Sequence, residues 1–183
     1  MTQWLVLGGD GVINEAKPGG VLELADWQPI AGSLEAIAHL TKAGYKLAVA
    51  SNQSVVGRGI LSEAQLQQLH AQIRAKIQAA GGDIEGFFYC PHVPEEQCDC
   101  RKPRTGLFAQ IEQQFEVTLN QAYCVGDSLK DIQAARAQGC QAVLVRTGKG
   151  VQTETATLLW PKYGENTLVF DNLLAFALHL INE

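Results

Sequence analysis

One short part of the chain concentrates side chains that bind soft metal ions. Cys90, His92, Cys98 and Cys100 place three thiols and one imidazole within a single segment. Thiolate and imidazole are the ligands of tetrahedral zinc sites, and a site filled by four protein ligands leaves no position for a reacting water. The spacing therefore predicts a structural zinc ion that stabilises a loop. Three free thiols that merely cluster are the alternative.

A second set of polar residues follows apolar runs that are typical of buried strands. Asp10, Ser51 and Asp127 each stand at the end of such a run. Ligands of open α/β sheets bind beyond the carboxyl ends of the strands, so we expect these three residues to border one crevice. Taken alone, a serine after a strand or an aspartate before a helix is equally typical of a helix cap.

The chemistry that this set favours is phosphoryl transfer. That reaction needs a nucleophile in line with phosphorus, cations near the phosphate oxygens and an acid for the leaving group. The carboxylates and the hydroxyl supply part of the set, and Arg101 and Lys102, directly after the last clustered cysteine, supply positive charge. The zinc-bound loop would hold both cations at the crevice.

The elements that must position these residues alternate along the chain. Six apolar runs predict buried strands at 4–7, 46–50, 86–89, 122–127, 141–147 and 168–170. Helical spacing predicts helices at 33–44, 62–81 and 105–115, then from Ser128 and from Asp171. Residues 15–28 and 148–165 lack a clean period and are predicted to be irregular. The alternation predicts an α/β fold with a doubly wound parallel sheet, in a single domain over 1–183.

Three histidines lie on these predicted helices rather than in motifs. His39, His70 and His179 are each interpreted as a helix-surface residue and not as a ligand. Along the 62–81 helix, Leu66 and Ile73 are among the residues expected to face the core.

Composition limits the classes of partner. A chain of 183 residues with 46% hydrophobic residues can bury one core, and a net charge of −5 with scattered Lys and Arg argues against a nucleic-acid surface. A small anionic substrate needs only local positive charge. No run approaches the roughly 18 apolar residues of a membrane span, and the N-terminus is unlike a signal peptide. We expect a soluble, cytoplasmic monomer.

The first glycine-rich loop carries a resemblance to a known family. Residues 7–14 read LGGDGVIN, which resembles the first motif of the haloacid dehalogenase (HAD) superfamily of phosphatases, Asp-x-Asp-Gly. The most similar form, LDRDGVIN, is that of D-glycero-D-manno-heptose 1,7-bisphosphate phosphatases. The resemblance implies that the Asp10 side chain acts as general acid and base and that its backbone carbonyl binds magnesium. The family's first aspartate, which attacks phosphorus, is Gly8 here.

Three further segments resemble the remaining motifs of the superfamily. Ser51-Asn52-Gln53-Ser54 is similar to the second motif, which implies that Ser51 and nearby backbone amides hold the phosphate. Arg101-Lys102-Pro103 is similar to the third, with Lys102 neutralising the transferring group and Arg101 reaching the substrate. Residues 125–131 are similar to the fourth, with Asp127 as a magnesium ligand. Asp131 is interpreted as the capping partner of Ser128.

The cysteine segment makes the resemblance more specific. Cys-Pro-His followed by Cys-x-Cys-Arg-Lys-Pro resembles the heptose bisphosphate phosphatases and, less closely, the histidinol phosphatases. The likeness runs from residue 4 to about residue 150 and implies a Rossmann-like HAD core without a separate cap domain. It implies these substrate-binding residues: Lys17, Gly19, Ser51, Asn52, Gln53, Ser54, Arg101 and Lys102. The loop 16–20 departs from the family pattern, which has an acidic residue and a Gly-Tyr pair there.

The function implied is magnesium-dependent removal of the 7-phosphate of heptose 1,7-bisphosphate, a small phosphorylated sugar of lipopolysaccharide core biosynthesis. Gly8 closes the aspartyl-phosphate route because glycine has no side-chain nucleophile. The alternatives are a pseudophosphatase that binds sugar phosphates, an altered form of an active enzyme, a slow hydrolase in which water attacks directly, and a histidinol-phosphate phosphatase.

Overall fold

A computed structural model describes residues 3–156 and 160–183 and contains one parallel sheet of six strands within those ranges. The strands are β1 (Trp4–Leu7), β2 (Lys46–Asn52), β3 (Gly86–Cys90), β4 (Tyr123–Gly126), β5 (Gln141–Val145) and β6 (Leu168–Phe170). Their order is β3-β2-β1-β4-β5-β6, and every pairing is parallel. The predicted doubly wound α/β fold is confirmed.

Eight helices accompany the strands in the described residues. They are α1 (Ser33–Lys42), α2 (Ser54–Gly57), α3 (Glu63–Ala79), α4 (Gly106–Phe115), α5 (Leu129–Ala137), α6 (Gly150–Ala156), α7 (Trp160–Gly164) and α8 (Leu173–Ile181). The apolar residues of α1, α3 and α8 form one core against the sheet, and those of α4 and α5 form a second core on its other face. The sheet is therefore covered on both sides.

Alternation within β1 explains how one strand serves both cores. Leu5 and Leu7 belong to the first core and Val6 to the second, and all three are buried. Successive side chains of a strand point to opposite faces, so a central strand covered on both faces must be apolar throughout. This is why four apolar residues suffice to predict a buried strand here.

The main difference from expectation lies in the segment predicted to be irregular over 148–165. It contains α6 and α7, with residues 157–159 outside the described part of the chain. α6 buries only Gly150 and Thr153, so it lacks the apolar stripe from which an amphipathic helix is recognised. The segment 15–28 is irregular as predicted, with a single short turn of 3₁₀ helix at Leu24–Asp26.

The order of the strands determines where the crevice lies on the sheet. From β1 the chain runs outward through β2 to β3, and it then crosses back to β4 and runs outward the other way through β5 to β6. The order therefore reverses between β1 and β4. The carboxyl ends of β1, β2 and β4 are adjacent there, which brings together the three loops expected to carry chemistry. No helix in the described ranges is long and apolar enough to cross a membrane.

Candidate functional site

The loop after β1 is a tight turn closed on itself. The Gly9 carbonyl accepts hydrogen bonds from the amides of Ile13 and Asn14, at 2.9 and 3.3 Å. The Asn14 side-chain amide donates to Asp10 Oδ1 at 2.9 Å, which fixes one carboxylate oxygen while the residue stays exposed. Asp10 therefore stands at the mouth of the crevice in a defined orientation.

Asp127 lies against this turn and depends on two glycines. A Cβ at Gly11 or Gly148 would lie 2.0 or 2.3 Å from Asp127 Oδ2, and both glycines have positive φ. The Lys149 amide donates to the same oxygen at 2.9 Å. Burial, with the nearby Asp131 charge adding to it, raises the pKa of Asp127 to about 6. This carboxylate is short of positive charge in the protein alone.

Lys102 is buried and binds two elements at once. Its ammonium donates to Asp131 Oδ1 at 2.6 Å and to the Ala50 carbonyl of β2 at 2.7 Å. Burial alone would lower the pKa of Lys102, but the Asp131 carboxylate overcomes that effect and raises it. Burial alone would likewise raise the pKa of Asp131, yet the Lys102 ammonium holds it below its ordinary value. The two groups form an ionised pair inside the second core.

Asp131 also caps helix α5. Its Oδ2 accepts from the Ser128 amide at 3.1 Å, from the Ser128 hydroxyl at 2.8 Å and from the Asp127 amide at 3.2 Å. The predicted capping role of Asp131 is confirmed. Sequence did not reveal that the same carboxylate neutralises Lys102, because that contact spans 29 residues.

The end of β2 is tied to the segment that carries Lys102. Asn52 Oδ1 accepts from the Lys102 amide at 2.9 Å, and its amide group donates to the Lys102 carbonyl at 3.2 Å. Ser51 is buried, and its hydroxyl oxygen accepts from the Gln53 side chain at 3.2 Å. Ser54 begins helix α2 directly afterwards. These predicted residues therefore meet at one edge of the sheet.

Cys90, His92, Cys98 and Cys100 converge as predicted. Their ligand atoms lie within 4.8 Å of one another. The Cys90 and Cys98 sulfurs are 3.5 Å apart, and His92 Nδ1 is 3.3 Å from the Cys100 sulfur. A tetrahedron with metal–sulfur bonds of about 2.3 Å has edges of roughly 3.7 Å, so the cluster is nearly the size of a zinc shell. The chain supplies a site that could hold a metal ion.

Other predicted substrate residues lie farther out. Arg101 Nη1 is 3.4 Å from the His92 carbonyl, which joins this guanidinium to the loop of the Cys/His cluster. Lys17 forms an ion pair with Asp26, and Gly19 lies in an exposed turn with positive φ. A Cβ at the next residue, Gly20, would lie 3.0 Å from a Val55 methyl carbon. The turn thus approaches α2 without a direct bond to the strand ends.

The interpretation of His70 as a helix-surface residue is only partly right, because its side chain is half-buried. It lies on α3 between the buried residues Leu69 and Ile73 and is stacked on Phe87, with ring centroids 4.7 Å apart. It lines a small cavity together with Asp10, Ser51 and Gln53, among others. Its position four residues after Leu66 and three before Ile73 could have revealed this orientation.

Gly8 leaves room for a larger residue. A Cβ built there would lie 3.2 Å from Val12 Cγ2 and 3.6 Å from the Val125 carbonyl oxygen, and its φ is not positive. The Gly8 amide donates to that same carbonyl at 2.9 Å, as a continuing strand would. The position is therefore an ordinary strand end that a small shift of Val12 opens to a side chain.

Comparisons with known proteins give consistent results. The HAD-hydrolase-like family matches residues 99–176. D-glycero-beta-D-manno-heptose-1,7-bisphosphate 7-phosphatase from Pseudomonas putida is 45% identical over 97% of this chain and 98% of its own, and the enzyme of that name from Neisseria meningitidis is 40% identical over 98% and 95%.

A solved structure agrees with them. The crystal structure of D,D-heptose 1,7-bisphosphate phosphatase from B. bronchiseptica, complexed with magnesium and phosphate, superposes with a TM-score of 0.91. It is 36% identical, with 99% of each chain covered.

The buried ion pair predicts a large effect on stability. Lys102→Met keeps an apolar stem of similar length but leaves Asp131 ionised without its partner, which costs about 3–5 kcal/mol in the free energy of unfolding. Urea denaturation at pH 7 measures this loss of unfolding free energy. The adjacent Arg101→Met, at a partly exposed position, is the control and should cost under about 1 kcal/mol. Equal losses in both variants would contradict the assignment.

The burial of His70 predicts a pH dependence. Because burial lowers its pKa to about 4, the unfolded chain binds the proton more readily between about pH 6.5 and pH 4, and stability falls as pH falls through that window. In His70→Phe, the loss of unfolding free energy from pH 7 to pH 4.5 should be smaller than in the unaltered chain by about 2 kcal/mol. Urea titrations at both pH values test this, and parallel losses would count against it.

Proposed function

Because the chain belongs to the D-glycero-β-D-manno-heptose-1,7-bisphosphate 7-phosphatase family of the HAD superfamily, we propose that it removes the 7-phosphate of heptose 1,7-bisphosphate. The observation that carries the proposal is the likeness over nearly the whole chain to enzymes with that name. The joined ends of β1, β2 and β4 support it, since they hold Asp10, Ser51 and Asp127 at one crevice beside Lys102.

Lys102 is the proposed electrostatic anchor for the phosphate. An ammonium has three N–H donors, and two are used by Asp131 and Ala50. The third remains for a phosphate oxygen. A buried positive charge attracts the phosphate more strongly than a solvated one does. Ser51 and the backbone that follows it provide neutral donors for the other oxygens, while Arg101 reaches toward the rest of the sugar bisphosphate.

Asp10, through its backbone carbonyl, and Asp127, through its carboxylate, are proposed to hold magnesium. Carboxylate and carbonyl oxygens are the ligands that this hard cation prefers. The raised pKa of Asp127 supports the assignment, because it reflects burial and the Asp131 charge beside it. When bound, the cation would offset negative charge on the phosphate. One carboxylate rather than two makes this a weaker site than one with an aspartate at position 8.

Gly8 determines how hydrolysis proceeds. With no carboxylate to form a phosphoenzyme, the proposed attack comes from water. Its oxygen bonds to phosphorus as the bond to the sugar oxygen breaks, Asp10 gives a proton to that oxygen, and the proton lost by water returns to Asp10. The products are heptose 1-phosphate and inorganic phosphate. This route lacks nucleophilic catalysis and is therefore slow.

A second candidate is favoured by the same glycine. A chain that keeps the phosphate-binding residues without a nucleophile could act as a binding protein for sugar phosphates. Gly8 is the observation that supports this alternative, and turnover by the unaltered chain separates the two candidates.

For the clustered Cys90, His92, Cys98 and Cys100, we propose zinc in a structural role. Four protein ligands fill a tetrahedral shell, so no position is left for a substrate or water. The loop begins at the end of β3 and leads directly into Arg101 and Lys102. Bound zinc would fix the path of this segment and so align both cations with the crevice.

Restoring a carboxylate at position 8 should increase turnover. In Gly8→Asp the new Cβ needs only a small shift of Val12, and removal of a catalytic nucleophile elsewhere costs up to about a millionfold in kcat. We expect phosphate release from heptose 1,7-bisphosphate with magnesium to rise by about 10³-fold or more. A phosphate-release assay of both forms measures this.

Two matched variants control that experiment. Gly8→Asn has the same shape without the charge, and Gly9→Asp places a carboxylate one residue away, where a Cβ has no atom closer than 3.9 Å. Neither should gain activity. Undetectable turnover by the unaltered chain that nevertheless binds the bisphosphate would favour the binding protein, and equal rates for the unaltered chain and Gly8→Asp would refute the role given to this position.

Loss of a cysteine ligand should destabilise the loop. Purified protein should contain about one zinc per chain, and Cys98→Ser should lose it together with at least about 2 kcal/mol of stability, or roughly 5 °C in Tm. Cys140→Ser is the control, because Cys140 lies outside the cluster and donates to the Leu119 carbonyl. Metal analysis and calorimetry are the measurements. The proposal would be contradicted if the purified unaltered protein contained no zinc and Cys98→Ser had an unchanged Tm.

A further inference from the structure

His70 is the one histidine that borders the crevice in the described part of the chain, and the proposed reaction gives it no role. Its ring rests flat on Phe87, at an interplanar angle of 16°, and approaches Tyr89 at 5.6 Å between centroids. Two aromatic neighbours on β3 therefore hold the imidazole in one orientation.

The ring nitrogens of His70 have no protein partner among the described residues, whose hydrogen bonds include none to this side chain. In those same residues, no side-chain nitrogen or oxygen is both fully enclosed and unpaired. It follows that the nitrogens reach space that a water molecule can enter. A neutral imidazole offers one donor and one acceptor there.

The His70 side chain also borders a cavity beside the proposed reaction site. The cavity that His70 lines is also lined by Gly9, Asp10, Ser51 and Gln53. Much of its remaining wall is apolar and includes Val49, Leu66, Leu69 and Ile73. A polar atom that enters from the crevice would therefore meet the His70 ring in otherwise largely apolar surroundings.

The size of the cavity limits what can enter it. Its volume is about 40 Å³, which admits a water or a hydroxyl group but not a sugar ring. A hydroxyl carries the donor and acceptor that match a neutral imidazole. An alkyl group would leave the ring nitrogens unpaired, and a second phosphate would bring charge against an apolar wall.

We infer that His70 is a specificity-determining residue, which hydrogen-bonds a sugar hydroxyl near the phosphate ester that is cleaved. The inference rests on the proposed function and adds a preference within it. Esters of polyols bind through both the phosphate and this hydroxyl, whereas inorganic phosphate binds without it. Low basicity suits this role, since burial lowers the pKa of His70 to about 4 and keeps the ring neutral.

The test compares two ligands on one pair of proteins. His70→Phe keeps an aromatic ring against Phe87 and removes both nitrogens. With magnesium present, calorimetric titration should show affinity for heptose 1,7-bisphosphate weakened by about 3- to 10-fold, as expected for one lost hydrogen bond, and affinity for inorganic phosphate unchanged. Binding is measured rather than rate because Gly8 limits turnover.

Two further variants make the result decisive. His70→Asn retains a donor and an acceptor and should recover part of the lost affinity, whereas His39→Phe changes a helical histidine outside the cavity lining and should alter neither ligand. Unchanged bisphosphate affinity in His70→Phe, or an equal loss for both ligands, would overturn the inference while leaving the proposed function intact. If the unaltered chain binds neither ligand, the proposed function fails first and the inference fails with it.

Discussion

The contact between the Lys102 ammonium, the Asp131 carboxylate and the Ala50 carbonyl is the constraint on which the site depends. It joins the segment after the cysteine cluster, the start of α5 and the middle of β2 at distances of 2.6 and 2.7 Å. A buried ammonium is tolerated only where its charge and its donors are matched. Because no one of these elements could shift without exposing an unmatched charge, the ends of β2 and β4 keep a fixed relation.

Close packing of the backbone around Asp127 fixes the site together with the ion pair. Gly11 and Gly148 let two loops approach the Asp127 carboxylate from opposite ends of the chain, and the Thr147 hydroxyl donates to the Gly11 carbonyl at 2.6 Å. These contacts connect β1, β4 and the loop after β5 around one acidic group. Glycine is required at both positions because a methyl group would overlap Asp127 and because φ is positive.

Sequence predicted most of the fold because its signals are local. Apolar runs and capping boxes at Ser62 and Ser128 mark where elements begin, and the structure has both caps. What escaped prediction depended on contacts between distant residues or on weak patterns. Lys102 could be placed at the crevice but not paired with Asp131, and α6 buries too little apolar surface to be recognised. The half-burial of His70 against Phe87 escaped prediction because it depends on a contact between α3 and β3.

Gly8 can replace a charged residue without loss of the fold for an electrostatic reason. Asp127 and Asp131 already put two carboxylates against one ammonium beside the crevice, and Asp10 adds a third negative charge at its mouth. A further aspartate on β1 would increase the repulsion that a bound cation must offset. The main-chain bond from Gly8 to the Val125 carbonyl does not involve a side chain, so the strand end keeps its geometry when the carboxylate is absent. The absence of this carboxylate therefore removes a charge from the folded state, while the residues proposed to bind phosphate stay in place. Functional sites commonly permit such a separation of stability from catalysis.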